Sequence, residues 1–444
     1  MSQRKIDLDM TTKQLYIETY GCQMNEYDSD RIKNALDAEP TDDPKKADII
    51  IVNTCAIRDK ADQKAFSSLG KYKHIKANNP DAILGISGCV AQLYGDKLLK
   101  KIPHLDFVLG TRAIPKLPEI ISKIQRDKRR TVETSYDLEE LFDVEPYHKE
   151  GRVTAFVSVQ QGCNKRCTYC IVPQVRGDEV NRPLPDILKE TTNLVDKGVR
   201  EITFIGQTVN SWKHDGNKFG DLIRAAGEVE DLERIRFTTS YPRDITKRMI
   251  DAMKEVPQVC HHLHLPVQSG SNKILSNMKR TYTREWYVDT ILRLKDAVPD
   301  ITISTDIIIG FPGETDQDFE DTMSLMKEIE FESSYSFKFS PRPGTVAAEY
   351  GEEHIVDPKI ASERLSELQA YQKDITERKN LSRVGKIEDV LVEGESRNDP
   401  DVLSGRTDHN RILNFNGSKK LVGKTVKVKV TEGLLNSLRG ELLV

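Results

Sequence analysis

Seven cysteines stand in this 444-residue sequence, and six of them fall into two sets of three. Cys163, Cys167 and Cys170 lie in Gly-Cys-Asn-Lys-Arg-Cys-Thr-Tyr-Cys, at spacings of four and three. Three thiolates so spaced can wrap one corner of a compact cluster. A cube of four irons held by three cysteines leaves one iron without a protein ligand, open to an external chelate. Structural zinc is the main rival, but it normally wants four protein ligands. No fourth ligand lies nearby in sequence, so zinc would need a remote one such as Cys260 or His261. Coincident structural cysteines are a third reading.

Cys22, Cys55 and Cys89 are spaced by 33 and 34 residues. Their contexts are nonetheless alike: Tyr20-Gly21-Cys22, Asn53-Thr54-Cys55 and Ser87-Gly88-Cys89 each follow a predicted strand. In an open α/β sheet the loops at the carboxyl ends of neighbouring strands share one edge, where ligands bind. One βα unit between cysteines would bring the three together. The alternatives are three cysteines packed as small hydrophobes, or a redox pair that leaves the third unused. Cys260 fits neither set and reads as structural.

The elements that must position these thiols follow from periodicity. Residues 13–130 alternate short apolar runs (15–17, 49–52, 83–86 and 107–109) with helical patterns, predicting βα units around a parallel sheet of Rossmann or flavodoxin-like type. A charged connector, 126–150, leads on. Residues 149–379 show six strand-like runs (155–159, 202–205, 235–238, 263–267, 301–309 and 334–339), each followed by a helical pattern. The first such helix opens at Pro183 and Pro185, gathers Leu184, Ile187, Leu188, Leu194 and Val195 on one face, and stops at Gly198. Six units predict a partial TIM barrel, (βα)6, against eight in a full one. The central triplet follows the first strand of this region, on the face where such barrels carry their active sites. Residues 380–444 differ in texture. Strand-like runs at 389–392, 412–415 and 425–430, separated by Gly-containing turns, predict a small antiparallel β-barrel.

Composition narrows the class. At 37% hydrophobic and 31% charged residues, the chain reads as a globular protein of about three domains. It has no apolar run long enough for a bilayer. The polar residues 1–13 resemble neither a signal nor a transit peptide, which makes the cytoplasm the default expectation. A net charge of −4 argues against a uniformly basic nucleic-acid coat. Residues 378–444, however, carry 13 Lys/Arg against 9 Asp/Glu. Lys419, Lys420, Lys424, Lys427 and Lys429 could neutralise phosphates there or merely solvate strands.

The Cys163–Cys167–Cys170 signature resembles the radical S-adenosylmethionine (SAM) superfamily. That resemblance implies SAM on the open iron and its reductive cleavage to a 5′-deoxyadenosyl radical. Tyr169 matches the aromatic before the third ligand, placed against the adenine. Gly206 and Gln207 match the position that binds the amino group. Ser240, Gln268 and Gly310, the last within Ile309-Gly310-Phe311-Pro312-Gly313-Glu314, fall at later strand ends suited to ribose and adenine contacts. Gly310, Pro312 and Gly313 serve equally well as turn residues.

With the first domain added, the resemblance narrows to the methylthiotransferases and covers nearly the whole chain. It implies that Cys22, Cys55 and Cys89 hold a second 4Fe-4S cluster that handles sulfur, and that the C-terminal region is an RNA-binding TRAM domain. Three runs resemble the MiaB-type branch, which methylthiolates carbon 2 of N6-dimethylallyl (isopentenyl) adenosine at position 37 of transfer RNA. They are Ser404-Gly405-Arg406-Thr407-Asp408-His409-Asn410-Arg411-Ile412-Leu413-Asn414-Phe415, Leu265-Pro266-Val267-Gln268-Ser269-Gly270-Ser271 and Ser340-Pro341-Arg342-Pro343-Gly344-Thr345. Arg342, Arg406, Asn410 and Arg411 become candidate substrate contacts. Thr208 departs from the pattern, an Asn being more usual there. The implied chemistry uses one SAM as methyl donor to a cluster sulfur and a second as radical source. A flavodoxin or ferredoxin would donate electrons, the base would be flipped out of the anticodon loop, and no membrane is involved. No general base is expected, because an unactivated ring hydrogen lies beyond acid–base chemistry. The alternatives are a methylthiotransferase for another adenosine or for a ribosomal protein, and a non-catalytic iron–sulfur redox protein that binds RNA.

Overall fold

The structure, a computed structural model, describes residues 13–36, 38–56, 59–136, 141–397 and 399–443. The polar stretch read as lacking a leader lies, for residues 1–12, outside the described residues. The chain forms two compact units.

In the first unit, the buried isoleucine-bearing runs Ile49–Thr54 and Ile83–Gly88 form the middle of a six-stranded sheet. Its order is Glu39–Pro40, Gln14–Thr19, Ile49–Thr54, Ile83–Gly88, Phe107–Leu109, Thr131–Glu133. Every neighbouring pair is parallel. Because side chains alternate across a strand, Ile49 and Ile51 enter the core on one face, and Ile50 and Val52 the core on the other. Both faces are covered, as a parallel sheet requires. The helices Gln23–Leu36, Asp59–Asn78 and Leu117–Asp127 supply part of that cover. Two short strands escaped the sequence reading. Thr131–Glu133 lies inside the segment expected as a connector, and it pairs with Phe107–Leu109. This unit also takes in Gln161–Lys165 and Cys170–Val180, which the sequence reading placed in the central region.

The second unit carries six parallel strands in two three-stranded sheets. One holds Thr154–Ser158, Glu201–Ile205 and Arg234–Phe237; the other holds His262–His264, Thr302–Ile309 and Ser333–Lys338. A single parallel bridge, Ile235 to Val259, links the end of the first set to the chain entering the second. Side-chain caps start the intervening helices: Thr283 accepts from the Trp286 amide, and Thr315 and Asp318 form a reciprocal capping box.

The helix Pro358–Leu381 leads to a closed five-stranded barrel ordered Ile387–Ser396, Asp399–Thr407, Ile412–Asn416, Leu438–Leu442, Thr425–Gly433. The barrel departs from a wholly antiparallel one: Ile412–Asn416 pairs parallel with Leu438–Leu442. Val390, Val392, Leu403, Leu413, Phe415, Val428, Val430 and Leu438 fill it. It is seated on the strands of the same unit by two buried arginines. Arg234 donates to the carbonyls of Arg406 (2.6 Å) and Asp389 (2.9 Å). Arg236 donates to those of Asp408 (3.0 Å) and Thr407 (2.8 Å), and its Nε meets Glu201 at 2.9 Å. Among the described residues no helix is long and apolar enough to cross a membrane.

Candidate active site

Cys22, Cys55 and Cys89 come three, one and one residues after three adjacent strands of the first unit. Gly21 lets the first two loops meet. Its φ is +131°, and a Cβ there would stand 2.5 Å from the Cβ of Cys55. The side-chain amides of Asn25 and Asn53 lock the same loops. Asn25 Nδ2 donates to Asn53 Oδ1 (3.1 Å) and to the Thr54 carbonyl (2.9 Å), and Asn53 Nδ2 donates to the Asn25 carbonyl (2.8 Å). Cys22 hydrogen-bonds with Cys55, and that bond pulls the Cys22 thiol down to about 6; burial opposes the shift and Arg176 assists it. Burial pushes the Cys89 thiol up, against the pull of Arg176.

Arg176 is the part of this site that sequence reasoning missed. It ends the short helix Val172–Arg176, six residues past Cys170. Its Nη2 meets Asp28 Oδ2 at 2.8 Å, and both side chains are buried. Asp28, Cys89 and Cys22 together outweigh its burial and keep it charged. All seven cysteines lie among the described residues, and none is in a disulfide. A donor set of three thiols beside a buried cation fits an anionic iron–sulfur cluster. A redox pair would leave Cys89 without a purpose.

Of the central triplet, Cys163 and Cys170 belong to the first unit and Cys167 to the second. The Cys163 amide donates to the Gly177 carbonyl at 3.1 Å, and its Sγ accepts the Lys165 amide at 3.4 Å. Two residues earlier, the buried Gln161 amide has no hydrogen-bond partner among the described residues.

The residues proposed for SAM all lie in the second unit, after the carboxyl ends of its strands. Gly206 and Gln207 follow Glu201–Ile205 directly. The next residue, Thr208, is pinned by its amide to Gln160 Oε1 at 3.0 Å. Ser240 follows Arg234–Phe237; it is buried, and its hydroxyl has no hydrogen-bond partner among the described residues. Gln268 has φ +77° and pairs with Ile307 through an isolated bridge. Gly310, with φ +70°, donates its amide to Glu314 at 3.0 Å. Tyr169 packs against the small cluster of Ile274, Met278, Phe311 and Ala347.

The candidate substrate contacts are placed differently. Arg342 is buried, and its carbonyl accepts the amide and hydroxyl of Thr345. Arg406 is partly exposed; it meets Glu393 at 3.2 Å and Asn410 Oδ1 at 3.1 Å. Asn410 takes the left-handed turn conformation, with φ +66°. Arg411 is largely buried in an ion pair with Glu332. Much of this run therefore fastens the barrel to the strands of its own unit. Lys424, Lys427 and Lys429, by contrast, point outward.

Residues 157–326 match the Radical SAM superfamily, residues 14–110 the Uncharacterized protein family UPF0004, and residues 381–443 the TRAM domain. The class is thereby a radical SAM protein with an N-terminal α/β domain and a C-terminal TRAM barrel, and such proteins use SAM and an iron–sulfur cluster. Among curated relatives, the tRNA-2-methylthio-N(6)-dimethylallyladenosine synthase of Aromatoleum aromaticum is 44% identical over 97% of this chain and 99% of its own length. That of Nitrosospira multiformis is 46% identical over 97% and 93%. The chain belongs to the tRNA-2-methylthio-N(6)-dimethylallyladenosine synthase family. Among solved structures it is similar in fold to the radical SAM methyltransferase TsrM from Kitasatospora setae, with TM-score 0.55 and 14% identity over 76% of this chain and 77% of that one. It is also similar to the cobalamin-dependent radical SAM enzyme OxsB, with TM-score 0.54 and 12% identity over 83% and 57%.

Proposed function

We propose that this chain methylthiolates carbon 2 of N6-dimethylallyladenosine at position 37 of transfer RNA. The observation that carries the reading is the convergence of Cys22, Cys55 and Cys89 at one sheet edge in a chain that also holds Cys163-x3-Cys167-x2-Cys170. The first triad is proposed to hold a 4Fe-4S cluster that handles sulfur, and the second a cluster that binds SAM. Bound there, SAM and its cluster supply a carbon-centred radical able to take hydrogen from a ring position that no side-chain base could deprotonate.

The protein's own part is to hold and orient. Arg176 offsets the negative charge gathered at the first triad. Gly206, Gln207, Ser240, Gln268 and Gly310 offer amides, carbonyls and a spare hydroxyl to SAM, and Tyr169 offers a ring face. Outward lysines of the barrel neutralise RNA phosphates while the target base leaves its stack. A low-potential one-electron donor such as a flavodoxin or ferredoxin completes the set.

Substrate choice tests the reading. Reconstituted enzyme should methylthiolate isopentenylated transfer RNA and leave threonylcarbamoylated transfer RNA unmodified, as read by nucleoside mass spectrometry. The reverse preference would point to the branch for that other adenosine. SAM left intact under reduction would point to a non-catalytic iron–sulfur protein.

A further inference from the structure

Arg280 belongs to none of the signature runs, yet it touches a cysteine of the central triplet. It is partly buried in the second unit. Its Nη1 lies 3.4 Å from Cys167 Sγ and 3.5 Å from the Tyr169 hydroxyl. The rest of the guanidinium is held from other sides. Nε donates to the Tyr282 hydroxyl at 2.8 Å, and Nη2 donates to the Pro266 carbonyl at 3.1 Å. The rings of Tyr241 and Tyr282 lie 4.5 and 5.2 Å from its central carbon, within cation–π range.

The backbone fixes this geometry. Arg280 follows the helix Asn272–Asn277, and its amide returns to the Leu275 carbonyl at 2.8 Å. Ser271 caps that helix and donates to Asp318 at 2.6 Å. Gly270 is required beside it, since a Cβ there would come within 2.5 Å of the Asp321 carbonyl. The Thr168 amide donates to the Met278 carbonyl at 3.1 Å, and its hydroxyl to the Asn277 carbonyl at 2.9 Å. These bonds stitch the neighbour of Cys167 to the segment that carries Arg280.

A cluster gains negative charge on reduction, and its thiolate ligands share that charge. Hydrogen bonds to the sulfurs and nearby cations favour the reduced state and raise the reduction potential. An arginine with a purely structural task would be satisfied by Pro266, Tyr282 and the two rings. Its remaining N–H edge faces sulfur instead.

We propose that Arg280 is a positioning residue that raises the reduction potential of the cluster held by Cys163, Cys167 and Cys170, through its charge and its N–H bond to Cys167. Electron entry from a low-potential one-electron donor is thereby eased. The inference rests on the reading of that triad as a cluster site, but not on the identity of the RNA substrate.

The test uses the full chain with Cys22→Ala, Cys55→Ala and Cys89→Ala, reconstituted anaerobically so that one cluster gives the signal. Dithionite titration with mediator dyes is followed by electron paramagnetic resonance. In Arg280→Gln the ratio of reduced to oxidised cluster at a fixed potential should fall about tenfold, or about 59 mV for one electron, with iron content unchanged. Arg280→Lys, which keeps the charge, should recover most of that loss. A Gln variant with full iron and the parent's potential overturns the proposal. If the Gln variant holds no iron, the Lys variant decides. It should keep iron and show an altered spectrum with a two- to threefold fall, and an unchanged potential and spectrum would overturn the idea. A parent chain without iron overturns the cluster reading as well, so the two failures are told apart by iron content.

Discussion

The triad of the first unit draws its thiols from the ends of three strands, whereas Cys163, Cys167 and Cys170 come from a single eight-residue stretch. In a local triplet, chain connectivity by itself keeps the ligands close. A triad assembled by a sheet exists only while the sheet does. It also needs parts that no local motif contains: Gly21 for the close approach to Cys55, the Asn25–Asn53 pair to lock two loops, and Arg176 to balance charge. The first triad should therefore be the more easily lost of the two, and its loss should leave the other set of thiols in place.

Cys55→Ala breaks the comparison open most sharply. It removes one thiol of the assembled triad, so methylthio transfer should fall to background while reductive release of 5′-deoxyadenosine continues. Chromatographic assay of both products from one reaction checks this, and methylthio product in the variant would contradict the division of labour.

Arg176→Ala comes next. It takes the closer cation from the buried Asp28 carboxylate and leaves only Arg31, 3.8 Å away; breaking a buried pair typically costs about 3–5 kcal/mol. Denaturant unfolding should show that loss in the first unit, and the variant should lose the iron of the first triad while keeping that of the second. Equal loss from both triads would erase the distinction between them.

The smallest effect is expected in the C-terminal barrel. Deleting the barrel is a poor test of RNA binding, because Arg234 and Arg236 would lose their carbonyl acceptors. Lys424→Ala, Lys427→Ala and Lys429→Ala together alter only outward side chains. They should make the slope of log affinity for transfer RNA against log salt less negative by about 2. Filter binding across a salt series measures it, and an unchanged slope would move the RNA contact elsewhere.

Much of this molecule was legible because period-2 and period-3.6 patterns are written locally. The strands at 49–54 and 83–88 and the helix beginning at Leu184 are of that kind. The edge strands Glu39–Pro40 and Thr131–Glu133 were not legible, since two or three residues of mixed character carry no period. Asp399–Thr407 was missed because Gly405 and its polar neighbours read as a motif rather than a strand. In fact a Cβ at Gly405 would come within 2.2 Å of the Leu391 carbonyl on the adjacent strand. Arg176 and Asp28 are 148 residues apart, and nothing in either's neighbourhood announces the other. Buried pairs of this kind are properties of the fold.

Iron and acid-labile sulfide analysis after anaerobic reconstitution tests the central claim most directly. Two four-iron clusters require about eight irons and about eight sulfides per chain, and about four of each when either triad is replaced by alanine. Bound zinc in place of iron, or only about four irons in the unaltered chain, would contradict it.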